Sequence, residues 1–373
     1  AEQEKRNMAR TLNGRSGVSA MGGTVTKLRA VMKSSRRQQY LYHPGYTENQ
    51  LEIERELPYY ASIGVPASYG IHNRKVWKHV QEIHRLVRTH DIDIIHFYFH
   101  FENLFAPFIR LLHPKIKMIR SIVGFDKELP FYRRALVGAG LFSVPNYVFI
   151  SQYIKRLYED TYPLLKKKHT RIIYNGAVNV VPAITPLKDR KWLVTTSGLC
   201  ERKNVLVLIE AMNLIRNQYG RKDIKLYILG DGPEREKITN LVDKCHLNNQ
   251  VVLVGYTNNV PAYLNQCAIY VHPATTEGFG IAVTEAMEMY CPCIVADKGA
   301  LPELVKDGEN GYLVSAYDAK QWAEMILHLW DNQTLRFKQS EESHRRAVEQ
   351  FSLQAFIDSH DQLYDELINK NKT

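Results

Sequence analysis

Glu277-Gly278-Phe279-Gly280-Ile281-Ala282-Val283-Thr284-Glu285 follows an apolar run, Ala268-Ile269-Tyr270-Val271, that reads as a buried strand. It leads into Ala286-Met287-Glu288-Met289, all strong helix formers. Strand, glycine-flanked turn and helix in that order aim free backbone N–H groups, and the positive end of a helix dipole, at whatever occupies the turn. Phosphate is the usual guest in such a turn. Two carboxylates flank it, and like charge keeps them off the phosphate. Glu277, in the turn, is placed to accept hydrogen bonds from sugar hydroxyls. Glu285, about one turn into the helix, is placed to take a ribose edge. The ligand so described is a diphosphate between two polyols, as in a nucleotide sugar. The plainer alternative is a helix with acidic residues near its N-terminus, each worth ~0.3–1 kcal/mol through the dipole.

The residues downstream favour the first reading. Pro292-Cys293-Ile294-Val295-Ala296-Asp297, Gly299-Ala300-Leu301-Pro302-Glu303-Leu304-Val305 and Asp307-Gly308-Glu309-Asn310-Gly311-Tyr312-Leu313-Val314 follow in close succession. Together these segments resemble the donor-binding half of the family 4 retaining glycosyltransferases, which have the GT-B fold. The family's two Glu separated by seven residues, with Gly-Phe-Gly after the first, are fully present. The resemblance covers residues 172–373 well and residues 76–171 weakly. It implies an α/β protein of two Rossmann-like domains facing across a cleft. Residues 1–181 would form the acceptor-binding domain and residues 182–345 the nucleotide-sugar-binding domain. A C-terminal helix within 346–373 would pack back on the first domain.

A chain of 373 residues exceeds one ordinary core and calls for two domains. Its longest uncharged stretch, Ala135 to Tyr153, contains Gly138, Gly140, Pro145 and Asn146 and does not read as a spanning helix. No secretory signal pattern opens the sequence. Charge is divided unevenly. Residues 1–186 hold 28 Lys+Arg and 14 Asp+Glu, a balance of +14; the remainder, 21 against 25, is −4. The basic half calls for an anionic partner. We expect an anionic membrane surface, and not nucleic acid, because no nucleic-acid motif accompanies the charge. The segment Pro130-Phe131-Tyr132-Arg133-Arg134-Ala135-Leu136-Val137 suits a membrane surface or a core-facing amphipathic helix. The five cysteines are odd in number and form no CxxC pair, so reduced thiols in the cytosol are expected, with zinc disfavoured.

Along the chain, alternating strands and helices imply parallel sheets with right-handed crossovers. The opening strand of the fold is not evident among the polar first fifteen residues; it either precedes this sequence or is rebuilt. Gly22-Gly23 offers a loop that is plain or phosphate-facing, with a helix expected over Thr24–Lys33. Strands are expected at 39–44, 92–98, 116–123, 147–151 and 172–177, and a helix over 75–89. Residues 48–70 are ambiguous. Asp91-Ile92-Asp93 mimics a metal-binding Asp-x-Asp but precedes its strand, whereas open sheets bind ligands beyond the carboxyl ends. His96 and His100 read as structural. Pro182 to Asp189 reads as the interdomain linker. In the second half, strands are expected at 192–198, 224–229 and 251–254, with helices over 205–215, from Glu234, and over 260–266, 317–330 and 352–369.

By the resemblance, Lys203 matches a family lysine that grips the diphosphate, and Arg202 beside it supplies a second positive charge. The family's usual Gly-Arg is absent, since Leu199 follows Gly198. Gly255 and Tyr256 would seat the nucleotide base, and Gly278 to Ala282 the phosphates. Family members also carry a histidine at the place of Val123, which leaves the acceptor side open. The reaction so implied is transfer of a hexosyl unit from a UDP- or GDP-sugar to a hydroxyl of a glycan or lipid-linked acceptor. Configuration would be retained, as in cell-surface polysaccharide or glycolipid synthesis. Glu277, Lys203 and Arg202 would be catalytic, with no cofactor and no metal, and the enzyme cytoplasmic or peripheral on the inner face of the membrane. Val123 and Leu199 keep a second reading open, a catalytically silent transferase-like partner subunit. The residues do not name the sugar, the nucleotide, the acceptor and linkage, or the oligomeric state.

Overall fold

A computed structural model of the chain describes residues 10–14, 29, 31–35, 38–45, 58–71, 75–98, 104–124, 138, 140–177 and 185–369. The chain forms two compact units, residues 1–174 with 356–373, and residues 175–355. Each is built on one sheet in which every described pairing is parallel.

In the first unit the strands are β1 (Arg10–Gly14), β2 (Gln38–Gly45), β3 (Ala67–Ile71), β4 (Ile94–Phe97), β5 (Lys117–Ile122), β6 (Asn146–Phe149) and β7 (His169–Ile172), in the spatial order β3-β2-β1-β4-β5-β6-β7. The opening strand is therefore present, at Arg10–Gly14, with Leu12 opposite Tyr40 on one side and Ile95 on the other. Its one large apolar residue, Leu12, explains why no hydrophobic run announces it. Asp91 and Asp93 hold that strand: Arg10 Nη1 donates to Asp91 Oδ2 at 3.0 Å, and the Arg10 N–H to Asp93 Oδ2 at 2.9 Å. The Asp-x-Asp thus anchors the amino end of a strand. The closing strand lies earlier than expected. β7 ends at Ile172, and Ala177 pairs instead with Ser352. Gly176 is required there, since a Cβ on it would stand 2.6 Å from the Leu353 Cα.

In the second unit the strands are β8 (Trp192–Thr196), β9 (Lys225–Leu229), β10 (Val251–Gly255), β11 (Cys267–His272), β12 (Cys293–Ala296) and β13 (Gly311–Val314), in the order β10-β9-β8-β11-β12-β13. That is the doubly wound 3-2-1-4-5-6 arrangement, whose order reverses between β8 and β11 and leaves a crevice beyond their carboxyl ends. β11 and β12 are buried throughout, as a strand covered by helices on both faces must be. Two helices expected from apolar periodicity, Leu206–Asn217 and Ala319–Asp331, supply much of the cover, the second through the fully buried Trp322. A third, Gln333–Gln350, was not expected; its buried face includes Gln339, Ser340, Ser343 and Arg346. Residues 187–189 of the expected linker form a 3₁₀ turn, and residues 356–373 belong to the first unit. Gly22, Gly23, His100 and Pro130–Val137 lie outside the described residues. Among the described residues, no helix is long and apolar enough to cross a membrane.

Candidate active site

The crevice between β8 and β11 is where the chemistry gathers. After β8 the chain makes a 3₁₀ turn over Glu201–Lys203, stopped by Asn204 in the left-handed region at φ 52°. After β11 it runs through Thr275 to Glu277. The Thr275 N–H and Oγ1 both donate to the Arg202 carbonyl, at 2.9 and 3.1 Å. This stitch across the reversal point brings the Lys203 ammonium onto the Glu277 carboxylate, where the two form an ion pair. The Ala300 N–H donates to the Glu277 carbonyl at 2.9 Å, and a Cβ on Gly299 would stand 2.4 Å from that oxygen. Glu277 is thus held at its backbone as well as its side chain.

A second group, not anticipated, acts on the same carboxylate. His272, the last residue of β11, is buried, and its Nε2 donates to Glu277 Oε2 at 3.3 Å. Its Nδ1 stands 3.5 Å from the Tyr270 hydroxyl, which in turn is 2.9 Å from Thr196 Oγ1. Burial raises the Glu277 pKa, but the His272 hydrogen bond and the Lys203 charge outweigh it and hold the carboxyl at about 2. His272 is pushed the other way. Burial lowers its pKa below the ordinary value, only partly opposed by the Glu277 hydrogen bond. The imidazole is therefore neutral and serves as a fixed N–H donor. Its place at the carboxyl end of a buried strand, five residues before Glu277, was the available signal.

Beyond Glu277, Gly280 turns at φ 110° into the Ile281–Glu288 helix. The first N–H groups of that helix have no intrahelical acceptor and face the crevice end of the sheet. Glu285, the fifth helical residue, is half-buried.

Residues 181–346 match the family described as glycosyl transferases group 1. The chain is 23% identical over 300 residues to the N-acetyl-alpha-D-glucosaminyl L-malate synthase of Bacillus anthracis, covering 77% of this chain and 78% of that one. In three dimensions it is similar to a glycosyltransferase from Rickettsia africae, with a TM-score of 0.78 at 16% identity over 97% of this chain and 99% of the other. The second unit thus carries the group 1 glycosyltransferase match, and the chain has the GT-B fold. Anabaena Alr3699/HepE, solved with UDP and glucose, shares that fold with a TM-score of 0.73 at 17% identity, over 95% of this chain and 99% of that one.

Not every expected site residue is placed alike. Lys203 and Glu277 are paired, whereas the Arg202 side chain is exposed, with only its field reaching His272. The Phe279 ring is buried against Phe351, centroids 6.0 Å apart, which leaves its backbone alone to meet a ligand. Gly255 ends β10 with φ 82°, and its carbonyl accepts from the Gly230 N–H at 2.8 Å. Tyr256 beside it is exposed, on the opposite edge of the sheet from β13. Leu199, where the family pattern has arginine, is buried. Its N–H donates to the Asp231 carbonyl at 2.9 Å, and a Cβ on Gly232 would stand 2.4 Å from its own carbonyl oxygen.

Proposed function

We propose that the protein is a retaining hexosyltransferase that moves a hexosyl unit from a UDP- or GDP-sugar to a hydroxyl of a glycan or lipid-linked acceptor. The reaction would serve cell-surface polysaccharide or glycolipid synthesis. The observation that carries the proposal is the Lys203–Glu277 pair at the strand-order reversal, next to a helix N-terminus. Similarity in fold to a protein solved with UDP and glucose supports the donor class.

In this reading the donor diphosphate lies at the start of the Ile281–Glu288 helix. Lys203 leaves Glu277 for the diphosphate, and Arg202 closes over it from solvent. Both stabilise charge that grows as the glycosidic bond breaks. Glu277, oriented by His272, keeps one carboxylate oxygen for the donor sugar's hydroxyls. The departing diphosphate takes the acceptor proton on the same face, so anomeric configuration is kept and no cofactor enters. With two cations on the diphosphate, divalent metal is not required, and turnover is expected to survive excess EDTA.

Thermal-shift screening against UDP- and GDP-sugars tests the donor, since a ligand at about 100 times its Kd adds ~2.7 kcal/mol to stability. Donor hydrolysis without acceptor then tests chemistry. A donor that stabilises the protein and is never hydrolysed or transferred would favour the silent partner subunit, the reading to which the buried Leu199 lends weight.

A further inference from the structure

The first unit carries a surface where bulky apolar side chains and cations stand together. From β3 to β6 the path crosses the sheet in one direction, β3 to β4, β4 to β5, β5 to β6. With right-handed crossovers, those three connections lie on one face. They hold the Val76–His90 helix, the Ala106–Leu112 helix and the helical residues 140–143. On them Trp77 is 57%, Leu111 80% and Phe142 75% exposed, and Phe108 and Leu112 are exposed as well. The Trp77 and Phe108 rings meet edge to face with centroids 6.2 Å apart, and His84 Nδ1 and His113 Nε2 are 2.9 Å apart in a hydrogen bond, so two helices present one surface. Lys168 Nζ donates to the Phe142 carbonyl at 3.2 Å. Burial, and then the charge of Arg110, lower the Lys168 pKa.

Single exposed apolar residues are ordinary; a group of this size on one face marks an interaction surface. Its charge is one-sided. Residues 104–124 contain Arg110, Lys115, Lys117 and Arg120 and neither Asp nor Glu. Among the described residues, Lys75, Lys78, Arg110, Lys115, Lys166 and Lys167 make no ion pair with a carboxylate. A second copy seated here by two-fold symmetry would set these cations against themselves. Protruding aromatic and aliphatic tips among unpaired cations instead match the boundary between lipid headgroups and acyl chains. We propose that this face, Trp77, Phe108, Leu111, Leu112 and Phe142 with Arg110 and the neighbouring lysines, docks on the surface of an anionic lipid bilayer. It is built on described residues, whereas Pro130–Val137 lies outside them, and it needs neither donor nor acceptor to act.

The test is sedimentation of the full chain with vesicles of phosphatidylcholine alone and of phosphatidylcholine mixed with phosphatidylglycerol, at low and high salt. Binding is expected to the anionic vesicles, weakened by salt, with a blue shift of emission that Trp77→Phe removes. Leu111→Ser with Phe142→Ser should lower the affinity about tenfold or more. Arg110→Ala with Lys115→Ala should lower it about fivefold per cation removed. Both positions pairs are surface changes, so thermal unfolding and donor hydrolysis should match the parent protein. Equal binding to neutral vesicles or unchanged affinity in both double variants would overturn the proposal. So would a solution dimer dissolved by Leu111→Ser with Phe142→Ser, or tighter binding to single-stranded nucleic acid than to anionic vesicles. Normal vesicle binding without any donor turnover would instead count against the transfer reaction alone.

Discussion

Both units bury a histidine on the fourth strand of a doubly wound sheet, beside the point where strand order reverses, and they finish it differently. In the first unit His96 is closed in by neutral groups. Its Nε2 is 2.8 Å from Ser121 Oγ, and its Nδ1 is 2.8 Å from the Tyr364 hydroxyl and 3.1 Å from that of Tyr98. The ring of His360 lies stacked at 5.8 Å, itself buried, with Nδ1 donating to the Phe356 carbonyl at 2.9 Å. In the second unit His272 also meets a tyrosine, but its other nitrogen points to a carboxylate that is paired with an ammonium. The first network runs among the buried side chains of a core. The other ends in charges at the rim of a crevice, where a ligand can exchange partners with them. A buried histidine therefore marks function only through what stands at the end of its hydrogen-bond chain.

The largest effect that could break this comparison is expected from Lys203→Ala. If the ammonium meets the leaving diphosphate, kcat falls about 10²–10³-fold while donor affinity changes less. Glu277→Ala should also lower kcat, by loss of orientation, yet leave the bare nucleoside diphosphate bound. Near-normal kcat in either variant, measured in the steady state, would reduce the second unit's network to a structural one like the first.

Acid should weaken the first unit, where burial holds two histidines low, more than the second, where burial holds His272 low as well. Burial lowers the His360 pKa to about 4, against the Phe356 backbone hydrogen bond and then the Asp361 charge, which raise it, and burial likewise lowers His96. Between pH 6.5 and 4 the unfolded chain takes up protons that the folded unit refuses, so stability falls as pH falls. For His360 alone the loss is roughly 3 kcal/mol across that window. Glu277 contributes with the opposite kind of shift. Its stabilisation is present above the ordinary carboxyl pKa and is lost only as pH drops toward about 2. Hydrogen exchange resolved by unit should thus show residues 75–124 opening first on acidification. His360→Gln should flatten the dependence by about 1.4 kcal/mol per pH unit. An unchanged slope would mean that the first unit's histidines titrate as exposed ones do.

Much of this contrast was visible in the residues beforehand, and some of it could not have been. Gly-Phe-Gly between two glutamates specifies a turn that only one strand–helix arrangement accommodates, so β11, the turn and the helix after it could be placed. β1 escaped because Leu12 is its only large apolar residue. The Gln333–Gln350 helix escaped because its buried face is polar. Ser343 Oγ donates to the Asn310 carbonyl at 2.8 Å and Gln339 Nε2 to the Gly308 carbonyl at 3.2 Å. Backbone acceptors from neighbouring loops take those donors, and such partners carry no periodic signal. His272 escaped for a related reason: its role depends on Tyr270 and Glu277 meeting it in space.

A smaller effect sharpens what His272 does. His272→Phe keeps the volume and removes the N–H that contributes most to holding the Glu277 carboxyl low. The Glu277 pKa should rise toward the ordinary carboxyl range, so the acid limb of kcat/KM moves to higher pH. kcat at neutral pH should fall about tenfold, the scale of one hydrogen bond to a charged group. His272→Gln, which can restore a donor, should recover part of both. A merely structural histidine would lower stability in both variants without moving the acid limb.

The smallest effect is expected at Glu285, and it tests how far the active network extends along its helix. Glu285 lies on the same helix whose start receives the diphosphate, half-buried and within electrostatic reach of Tyr270, where after burial its charge helps raise the hydroxyl pKa. A ribose held there is chemically remote from the breaking bond, so its contacts have equal strength in the ground and transition states. Uniform binding of that kind appears in KM and leaves kcat alone. Glu285→Ala should accordingly raise KM for the donor about five- to tenfold, near ~1–1.4 kcal/mol, and weaken nucleoside diphosphate binding by the same factor in calorimetry. Glu285→Gln, which can still bond a hydroxyl without the charge, should fall between. If nucleotide binding were untouched in Glu285→Ala while kcat dropped, Glu285 would belong with Glu277 at the reacting centre, and the separation of the two carboxylates into sugar and ribose contacts would be wrong.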